Sequence, residues 1–392
     1  MSNWILFKLY LAWQNLTFNK QRFIVAVSAV AFAVTLMFVQ VGFRNSYLDT
    51  NFEYINRFNA DLILVNSQRY VSFADTTFKK NRLYLVEKFP EVKVAYPLYI
   101  HIANWRNKGE TREYPMRLLG YNISKSILLI SGIKKYTNTL KLADTVIVDR
   151  KFRSPFGQLQ KGDVAEIINR KVKVVGTFEL GRVTFADGNL ITSYQNFLRI
   201  IANKPVGISG KIRTLDDIDI GLLQVNTGVN IDKFAKEINK NLPGDIRIFT
   251  KQQFINRDRI YLESSTGIGF IFFLGTIVGF VVGIIVIYNI IYSDILDNLP
   301  QYATLKAMGY SNSSLLYVVM AESLILSIFG FFPGFGFSIL IYNRIENAIG
   351  LLMKINLNST LLVFSLTIIM SLISGYIASR KLHKVDPVDI YE

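Results

Sequence analysis

The chain has 392 residues, is 51% hydrophobic, and carries 44 basic against 29 acidic residues, a formal net charge of +15. A mean hydropathy of +0.28 combined with that charge excludes disorder and a coiled coil, and indicates a membrane protein with a polar part. Cysteine is absent, which excludes disulfides, zinc–thiolate sites, iron–sulfur clusters and a thiol nucleophile.

Four stretches lack Asp, Glu, Lys and Arg, and each is long enough for a helix to cross about 30 Å of hydrocarbon. We predict transmembrane helices at residues 23–43, 264–293, 315–343 and 357–379, the third beginning before its uncharged stretch, which lies between Glu322 and Arg344. The first could instead be a signal peptide, but its apolar stretch exceeds the usual length of about 7–15 residues and no small-residue cleavage site follows Val41. The sequence therefore predicts a membrane protein with four transmembrane helices and a large α+β domain inserted between helices 1 and 2.

The orientation of these helices is predicted from the basic residues at their ends, since Lys and Arg near a span are retained in the cytosol. Such residues precede the first span and follow the last: Lys8, Lys20, Arg22, Arg380, Lys381 and Lys384. Both termini should then be cytosolic in a bacterial inner membrane. The other segments follow: a cytosolic interfacial helix at 1–22, a periplasmic domain at 44–263, a cytosolic loop at 294–314, a periplasmic loop at 344–356 and a cytosolic tail at 380–392.

The domain at 44–263 shows a mixture of strand and helix patterns, which is typical of the α+β class. Strand patterns recur at 61–65, 92–99, 117–121, 145–148, 172–178, 190–192 and 246–249, and helical patterns at 195–202 and 231–241. Its joints to the spans, at 47–58 and 254–262, have near-helical apolar spacing, and could either relay movement as stalks or pack the base of the domain.

The same domain holds 35 basic and 22 acidic residues, so most of the excess positive charge lies in it. A domain outside the cytosol is not expected to bind nucleic acid. Its charge indicates either an ordinary solvated surface or attraction to acidic partners or lipid headgroups.

Glycines recur four apart in two of the spans, where missing side chains allow helices to approach closely. The second span contains Gly275, Gly279 and Gly283, and the third contains Gly330 and Gly334 beside Pro333. Glycine is also common in membrane helices generally, so a specific helix–helix interface, including one between two copies of the chain, is one of two interpretations.

The residues that an enzyme would need are largely missing. Only His101 and His383 are present, which excludes an H-E-x-x-H metal site, and neither a nucleophile elbow nor a P-loop occurs. The acids at 216, 217 and 219 do not fit an EF-hand, and a solvated turn is favoured for them. We therefore expect no catalytic, metal-binding or cofactor-binding residues in this chain.

Glu322 is an acid within the predicted third span, about two turns from its cytosolic end, where a carboxylate is costly unless it is solvated or paired. We expect it to be solvated at the interface or paired with a residue of the bundle.

The loop between the second and third spans carries helix signals. Pro300 suits the first turn of a helix and Gly309 is a natural residue just beyond its end, so a short helix is predicted at 300–308. It is either a docking element or an interfacial helix without a partner, like the one expected at residues 4–18, whose apolar stripe includes Trp13 and Leu16.

The loop sequence Gln-Tyr-Ala-Thr-Leu-Lys-Ala-Met-Gly-Tyr at 301–310 resembles the cytosolic loop of MacB/FtsX-type ABC exporter permeases, and specifically the DevC family. Residues 31–40, 176–181 with 186–188, and 380–387 are also DevC-like. The resemblance extends over essentially the whole chain.

The resemblance implies a homodimer that works by mechanotransmission. ATP and Mg²⁺ would be bound by a separate DevA-like ATPase, and the outer domain would work with a DevB-like membrane-fusion protein and a TolC-like outer-membrane channel to export a lipid or glycolipid. It also implies that coupling to the ATPase falls on residues of the short helix, with apolar side chains filling a groove and Lys306 at its rim: Tyr302, Ala303, Leu305, Lys306, Met308 and Gly309.

Two other classes of protein stay open. A membrane-anchored sensor or adaptor would bind a ligand with its outer domain, although the 12 residues after Arg380 hold no output domain. A membrane-embedded enzyme would need the residue types that are absent.

Overall fold

The computed structural model describes residues 2–151, 159–181, 185–201, 205–206, 211–214, 216–265, 267–349, 351 and 353–380. The chain divides into two compact units. The helical unit contains Met1–Ser46, Ile268–Ala348 and Met353–Glu392, and the sheet unit contains Tyr47–Gly267 and Ile349–Leu352.

The described residues form ten α-helices and thirteen strands. The helices are α1 (Ser2–Phe18), α2 (Lys20–Asn56), α3 (Asn81–Val86), α4 (Tyr194–Ile200), α5 (Ile231–Asn241), α6 (Lys251–Ser265), α7 (Ile268–Asp297), α8 (Leu299–Ala307), α9 (Asn312–Ile349) and α10 (Leu357–Ser379). The strands are β1 (Leu62–Asn66), β2 (Phe78–Lys79), β3 (Val92–Asn107), β4 (Tyr114–Tyr121), β5 (Thr145–Asp149), β6 (Val164–Ile167), β7 (Arg170–Phe178), β8 (Gly188–Ser193), β9 (Pro205–Val206), β10 (Lys211–Ile212), β11 (Asp217–Ile218), β12 (Ile220–Val225) and β13 (Ile246–Thr250).

Four helices of the described chain, α2, α7, α9 and α10, are long and apolar enough to cross a membrane. Their shared core is built from side chains that are fully buried, such as Phe38, Ile287 and Met370. Outward-facing apolar residues such as Phe270 and Phe332 stay exposed, as expected of helices solvated by lipid. The predicted fold class, four transmembrane helices with an α+β domain inserted between the first and second, is confirmed.

The helix ends differ from the predicted spans. Helix α2 begins at Lys20 and α9 at Asn312, both before the apolar stretch, because no helix-breaking residue stands at those points. Helix α7 begins at Ile268 rather than at residue 264, since Gly267 adopts a left-handed φ of 65° between α6 and α7. The predicted tail at 380–392 lies outside the described residues apart from Arg380.

The sheet unit is organised around β3, which pairs with different strands along its length. The large sheet has the order β13-β1-β12-β3-β4-β8-β5-β7-β6, and β6 pairs back onto β3. The first part of β3, up to Leu98, pairs with β12, whereas the part from Tyr99 onward pairs with β4 and β6. Six strands therefore close into a ring, and β12, β1 and β13 extend from it as an open sheet. Within the ring, β4–β8 and β5–β7 are parallel pairs.

All seven strands predicted from the sequence overlap strands of this sheet, but β6 and β12 were missed. Strand β6 joins β7 through Ile168 and Asn169, both with positive φ, and Ile is a poor signal for such a turn. Strand β12 contains Gly221, which weakens the strand signal in its sequence but lets the side chain of Leu83 approach the backbone closely.

The predicted joints to the spans contribute to the core of the sheet unit. Leu48, Phe52, Ile55 and Phe58 are all buried, which corresponds to the interpretation that they pack the base of the domain. The second joint, α6, buries Phe254 and Leu262 but leaves Ile260 66% exposed. Packing of these residues is compatible with a mechanical role, because a helix must be anchored in a domain before the helix can move that domain.

Candidate functional site

Helix α8 forms the short connection between α7 and α9. It occupies Leu299–Ala307, with Pro300 in its first turn, where a missing N–H costs nothing. At its end Gly309 has φ 91°, its N–H donates to Lys306 O at 2.9 Å, and Tyr310 N donates to Leu305 O at 3.1 Å. These two bonds form a Schellman motif, which explains why the chain stops the helix at this glycine.

The residues predicted to contact an ATPase fall on two different faces of α8. Tyr302 and Ala303 are buried against the helical unit, and Leu305 and Lys306 are half-buried. Met308 is 64% exposed, and Gln301, Thr304, Ala307 and Gly309 are exposed with it. Helical periodicity separates the two sets, since positions 302 and 303 point away from positions 301, 304 and 308.

The expectation that Tyr302 and Ala303 fill a groove on a partner is therefore corrected. Their side chains are already covered by this chain and are not presented outward. The outer face of α8 is defined here as Gln301, Thr304, Ala307 and Met308. Of the predicted coupling residues, Met308 has the accessible apolar side chain that such a role needs.

Tyr302 belongs to a buried polar cluster with Glu322 of α9 and Asn15 of α1. Asn15 Nδ2 donates to Glu322 Oε1 at 2.8 Å, and Tyr302 Oη donates to the same oxygen at 3.3 Å. Glu322 has 0% exposure, so its partners come from the bundle and not from interfacial water. Burial and the neighbouring carboxylate raise the pKa of Tyr302 well above its ordinary value, so the phenol keeps the proton that it donates.

Asn15 was not identified from the sequence. It lies on α1, where an isolated amide between apolar residues gives no signal of its partner. The sequence left open that α1 is an interfacial helix without a partner, but in the structure it packs on α9. Trp13 packs against Phe329 with ring centroids 5.3 Å apart, and Ala12 is buried beside Val318. The side chains of residues 4–9 lie outside the description.

The five predicted packing glycines all lie at contacts between helices of the same chain. A Cβ added to Gly330 would lie 2.5 Å from Val30 Cγ1, and one on Gly334 would lie 2.7 Å from Ala31 O. In α7, the corresponding nearest atoms belong to Gln40 for Gly275, Met37 for Gly279 and Met370 for Gly283. These faces are taken by α2 and α10 of the same chain, so the glycines are not free to form an interface between two copies.

The acids at 217 and 219 are buried, which corrects the expectation of a solvated turn. Asp219 has 0% exposure and pairs with Arg213 and, at 3.8 Å, with Arg69, both of which are also buried. Asp217 pairs with Lys79 at 2.7 Å. No group of three or more possible metal ligands occurs among the described residues. The cluster is thus an internal ion-pair network that holds β11 and β12 to the segment after β1.

A cavity of about 710 Å³ opens in the sheet unit along the connection from β4 to β5. Its lining combines lysines, serines and apolar side chains, among them Lys125, Lys134, Leu128 and Ile133. No acid occurs between Glu113 and Asp144, so the segment is uniformly basic.

The segment that lines this cavity is tied to the end of helix α2. Leu129 N donates to Arg57 O at 2.7 Å, and Asn59 N donates to Ile127 O at 2.9 Å. Lys251 Nζ, at the start of α6, donates to Phe58 O at 2.8 Å. The end of the first joint therefore meets the cavity segment, and the start of α6 is bonded to that end within the sheet unit.

Residues 266–387, which include α7 to α10, match the family of FtsX-like permease C-terminal domains. Over these residues the chain is similar to an FtsX-like permease domain. The prediction of a MacB/FtsX-type permease is confirmed at this level, while the DevC-like assignment stays a prediction.

Among curated proteins the chain is similar to an uncharacterized ABC transporter permease of Methanocaldococcus jannaschii, with 26% identity over 246 residues. That alignment covers 59% of this chain and 57% of the relative, so the chain spans little more than half the length of the protein it matches.

Three solved structures have similar regions. The periplasmic region of MacB from Actinobacillus actinomycetemcomitans is 14% identical, with a TM-score of 0.34, covering 54% of this chain and 97% of that one. The extracellular domain of the transporter YknZ from Gram-positive bacteria is 13% identical, with a TM-score of 0.31, covering 49% and 99%. A domain of a putative permease from Porphyromonas gingivalis is 12% identical, with a TM-score of 0.32, covering 52% and 98%.

Proposed function

We propose that this chain is the permease subunit of an ABC exporter in which a separate ATPase moves α8, and the helices transmit that motion to the sheet unit. The observation that carries the proposal is α8 itself, within the FtsX-like part of the chain. Its inner face is anchored by Tyr302 and Ala303, and its outer face presents Met308 to solution. A helix anchored on one side and exposed on the other can receive a force and pass it to the bundle.

Transmission along the chain is supported by the two joints. Helix α2 is one uninterrupted helix from Lys20 to Asn56, and its end is hydrogen-bonded to the cavity segment through Arg57 and Asn59. A continuous helix is stiff, unlike a Gly/Ser linker, and would carry a displacement over its whole length. No passage of substrate between the four helices is required.

The finer proposal follows the DevC resemblance. The chain would act as a homodimer in a bacterial inner membrane, with both termini cytosolic and the sheet unit periplasmic. A DevA-like ATPase would bind ATP and Mg²⁺, and a DevB-like membrane-fusion protein with a TolC-like channel would complete a tripartite exporter. A lipid or glycolipid substrate is supported by the basic and apolar lining of the 710 Å³ cavity, which suits an amphiphile.

The first test is affinity capture of the full chain from native membranes in mild detergent, with identification of the co-purifying proteins. We expect a protein with a P-loop and measurable ATPase activity in the captured complex. Recovery of the chain alone, with ligand bound and no ATPase, would favour the sensor or adaptor instead.

The second test places a charge on the outer face of α8. Met308→Asp should reduce the amount of captured ATPase, because a desolvated carboxylate opposes an apolar contact. Gln252→Asp, at an exposed position in the sheet unit, introduces an equal charge and should leave capture unchanged. Equal capture by both variants would remove the outer face of α8 from the ATPase contact.

A further inference from the structure

The buried cluster of Asn15, Tyr302 and Glu322 joins the consecutive helices α8 and α9 to α1, which is distant in sequence. Glu322 and Tyr302 are 20 positions apart, whereas Asn15 and Glu322 are 307 positions apart. Asn15 Nδ2 also lies 3.5 Å from Tyr302 Oη, so each of the three side chains contacts the other two. Buried polar groups are costly unless they are bonded, which makes such a cluster in an otherwise apolar core a feature that needs an explanation.

The carboxylate is an unusual choice for merely filling space. Glu322 Oε1 accepts two hydrogen bonds, while Oε2 is buried and has no partner among the described residues. A Leu or Met of similar size would fill the volume without that cost. The directional hydrogen bonds that its oxygen accepts are therefore the property that distinguishes Glu322 from an apolar residue at this position.

Apolar contacts alone would not fix the position and rotation of α8 against the bundle. Leu305 packs against the helical core and Ala303 is buried, but apolar packing is not directional and tolerates rotation or sliding of a short helix. A hydrogen bond requires a narrow range of distance and angle. The bond from Tyr302 to Glu322 thus fixes the rotation of α8 about its axis, and with it the direction in which Met308 points.

We infer that Glu322 is a positioning residue that locks α8 to α9 through Tyr302 and adds α1 to the same rigid group through Asn15. When a partner displaces α8, these three helices move together rather than α8 slipping over the bundle. This inference rests on the proposed function for the identity of that partner, but the lock itself is a property of the chain alone.

The lock is tested by amide hydrogen exchange of the full chain in detergent, which requires no partner. Tyr302→Phe removes one hydroxyl, and Glu322→Leu removes the acceptor at similar size. We expect exchange of the α8 amides to rise roughly three- to tenfold in each variant, since the loss of one buried hydrogen bond corresponds to a factor of that order. Tyr376→Phe, at a half-exposed position on α10, is the matched control and should leave α8 unchanged.

Two further variants separate positioning from simple packing. Glu322→Gln keeps an oxygen acceptor and should restore protection of α8 close to that of the unmodified chain. The double variant Tyr302→Phe with Glu322→Leu should be no worse than Glu322→Leu alone, because both changes remove the same bond. Additive effects, or no rescue by Glu322→Gln, would overturn the inference.

In a captured complex with the ATPase, reconstituted into lipid vesicles, Tyr302→Phe should leave the amount of bound ATPase unchanged and lower the release of a labelled glycolipid per ATP hydrolysed. A variant that only destabilised the chain would lower the amount of complex, but not the amount exported per ATP hydrolysed. If no ATPase is captured with the unmodified chain, the proposed function fails, while the exchange experiment still decides the lock. Exchange of α8 in Tyr302→Phe equal to that in Tyr376→Phe would refute the lock whatever is captured.

Discussion

Replacing Gly334 by alanine tests the close approach of α9 to α2. The added Cβ would lie 2.7 Å from Ala31 O and 2.8 Å from Val34 Cβ, both well inside van der Waals contact. Ala31 O is a backbone atom of α2, so no change of rotamer can relieve the clash and the two helices must separate. The same helix offers a matched control in Gly336, where an added Cβ meets nothing within 4 Å.

The difference between these two variants isolates the cost of the clash. Both exchange Gly for Ala inside α9, and each gains about 1 kcal/mol from the better helix propensity of alanine. That gain cancels in the comparison, which leaves an overpacking cost of about 1–3 kcal/mol for Gly334→Ala. We place it in the upper half of the range because the nearest atom is backbone. Gly279→Ala should fall between the two, since its nearest neighbour, Met37 Cγ at 3.1 Å, belongs to a flexible side chain.

The assay is thermal unfolding of the full chain in one detergent, followed for all three variants and the unmodified protein. The expected order of midpoints, from highest to lowest, is Gly336→Ala, Gly279→Ala and Gly334→Ala, with the first at or above the unmodified chain. Equal midpoints for Gly334→Ala and Gly336→Ala would show that α9 and α2 are not in contact at this glycine.

Three further predictions concern other parts of the chain. Burial raises the pKa of Asp258 to about 6, so the folded state holds its proton more tightly than the unfolded state does. The free energy of unfolding should therefore fall by about 2 kcal/mol between pH 4 and pH 6. Asp258→Asn should flatten that part of the pH profile, and an unchanged slope would contradict the burial of the carboxylate. Asp219→Asn should destabilise the sheet unit by about 3–5 kcal/mol in denaturant unfolding because it leaves buried arginines without the charge of Asp219. Asp75→Asn, at a 37% exposed side chain, should cost about 1 kcal/mol or less. Similar losses of stability in the two variants would contradict a larger contribution from the buried ion pair. Gly309→Ala should weaken the end of α8 by about 1–2 kcal/mol, since a left-handed φ is unfavourable for alanine. Gly309→Asn should cost less. Hydrogen exchange of the last α8 amides measures both costs, and equal protection in the two variants would refute the backbone argument.

The sequence alone determined the features that depend on local composition and on single-residue backbone preferences. The four apolar helices could be located because each must carry its hydrophobicity in one continuous stretch. The ends of α8 could be placed within a residue because Pro300 fixes its own φ and Gly309 tolerates the left-handed φ that ends the helix, whatever packs around them. Strands β6 and β12 were missed where that local signal fails, at a turn through Ile168 and at Gly221.

Tertiary structure decided everything that depends on which segments meet. The periodicity of α8 separated its residues into two faces, but only packing determined that Tyr302 and Ala303 face the bundle and Met308 faces outward. Asn15 became part of the candidate site through a partner 307 positions away, which no local pattern encodes. Such contacts arise from burial and complementary hydrogen bonding between distant segments, so the side that α8 offers to a partner is a property of the fold and not of the loop sequence.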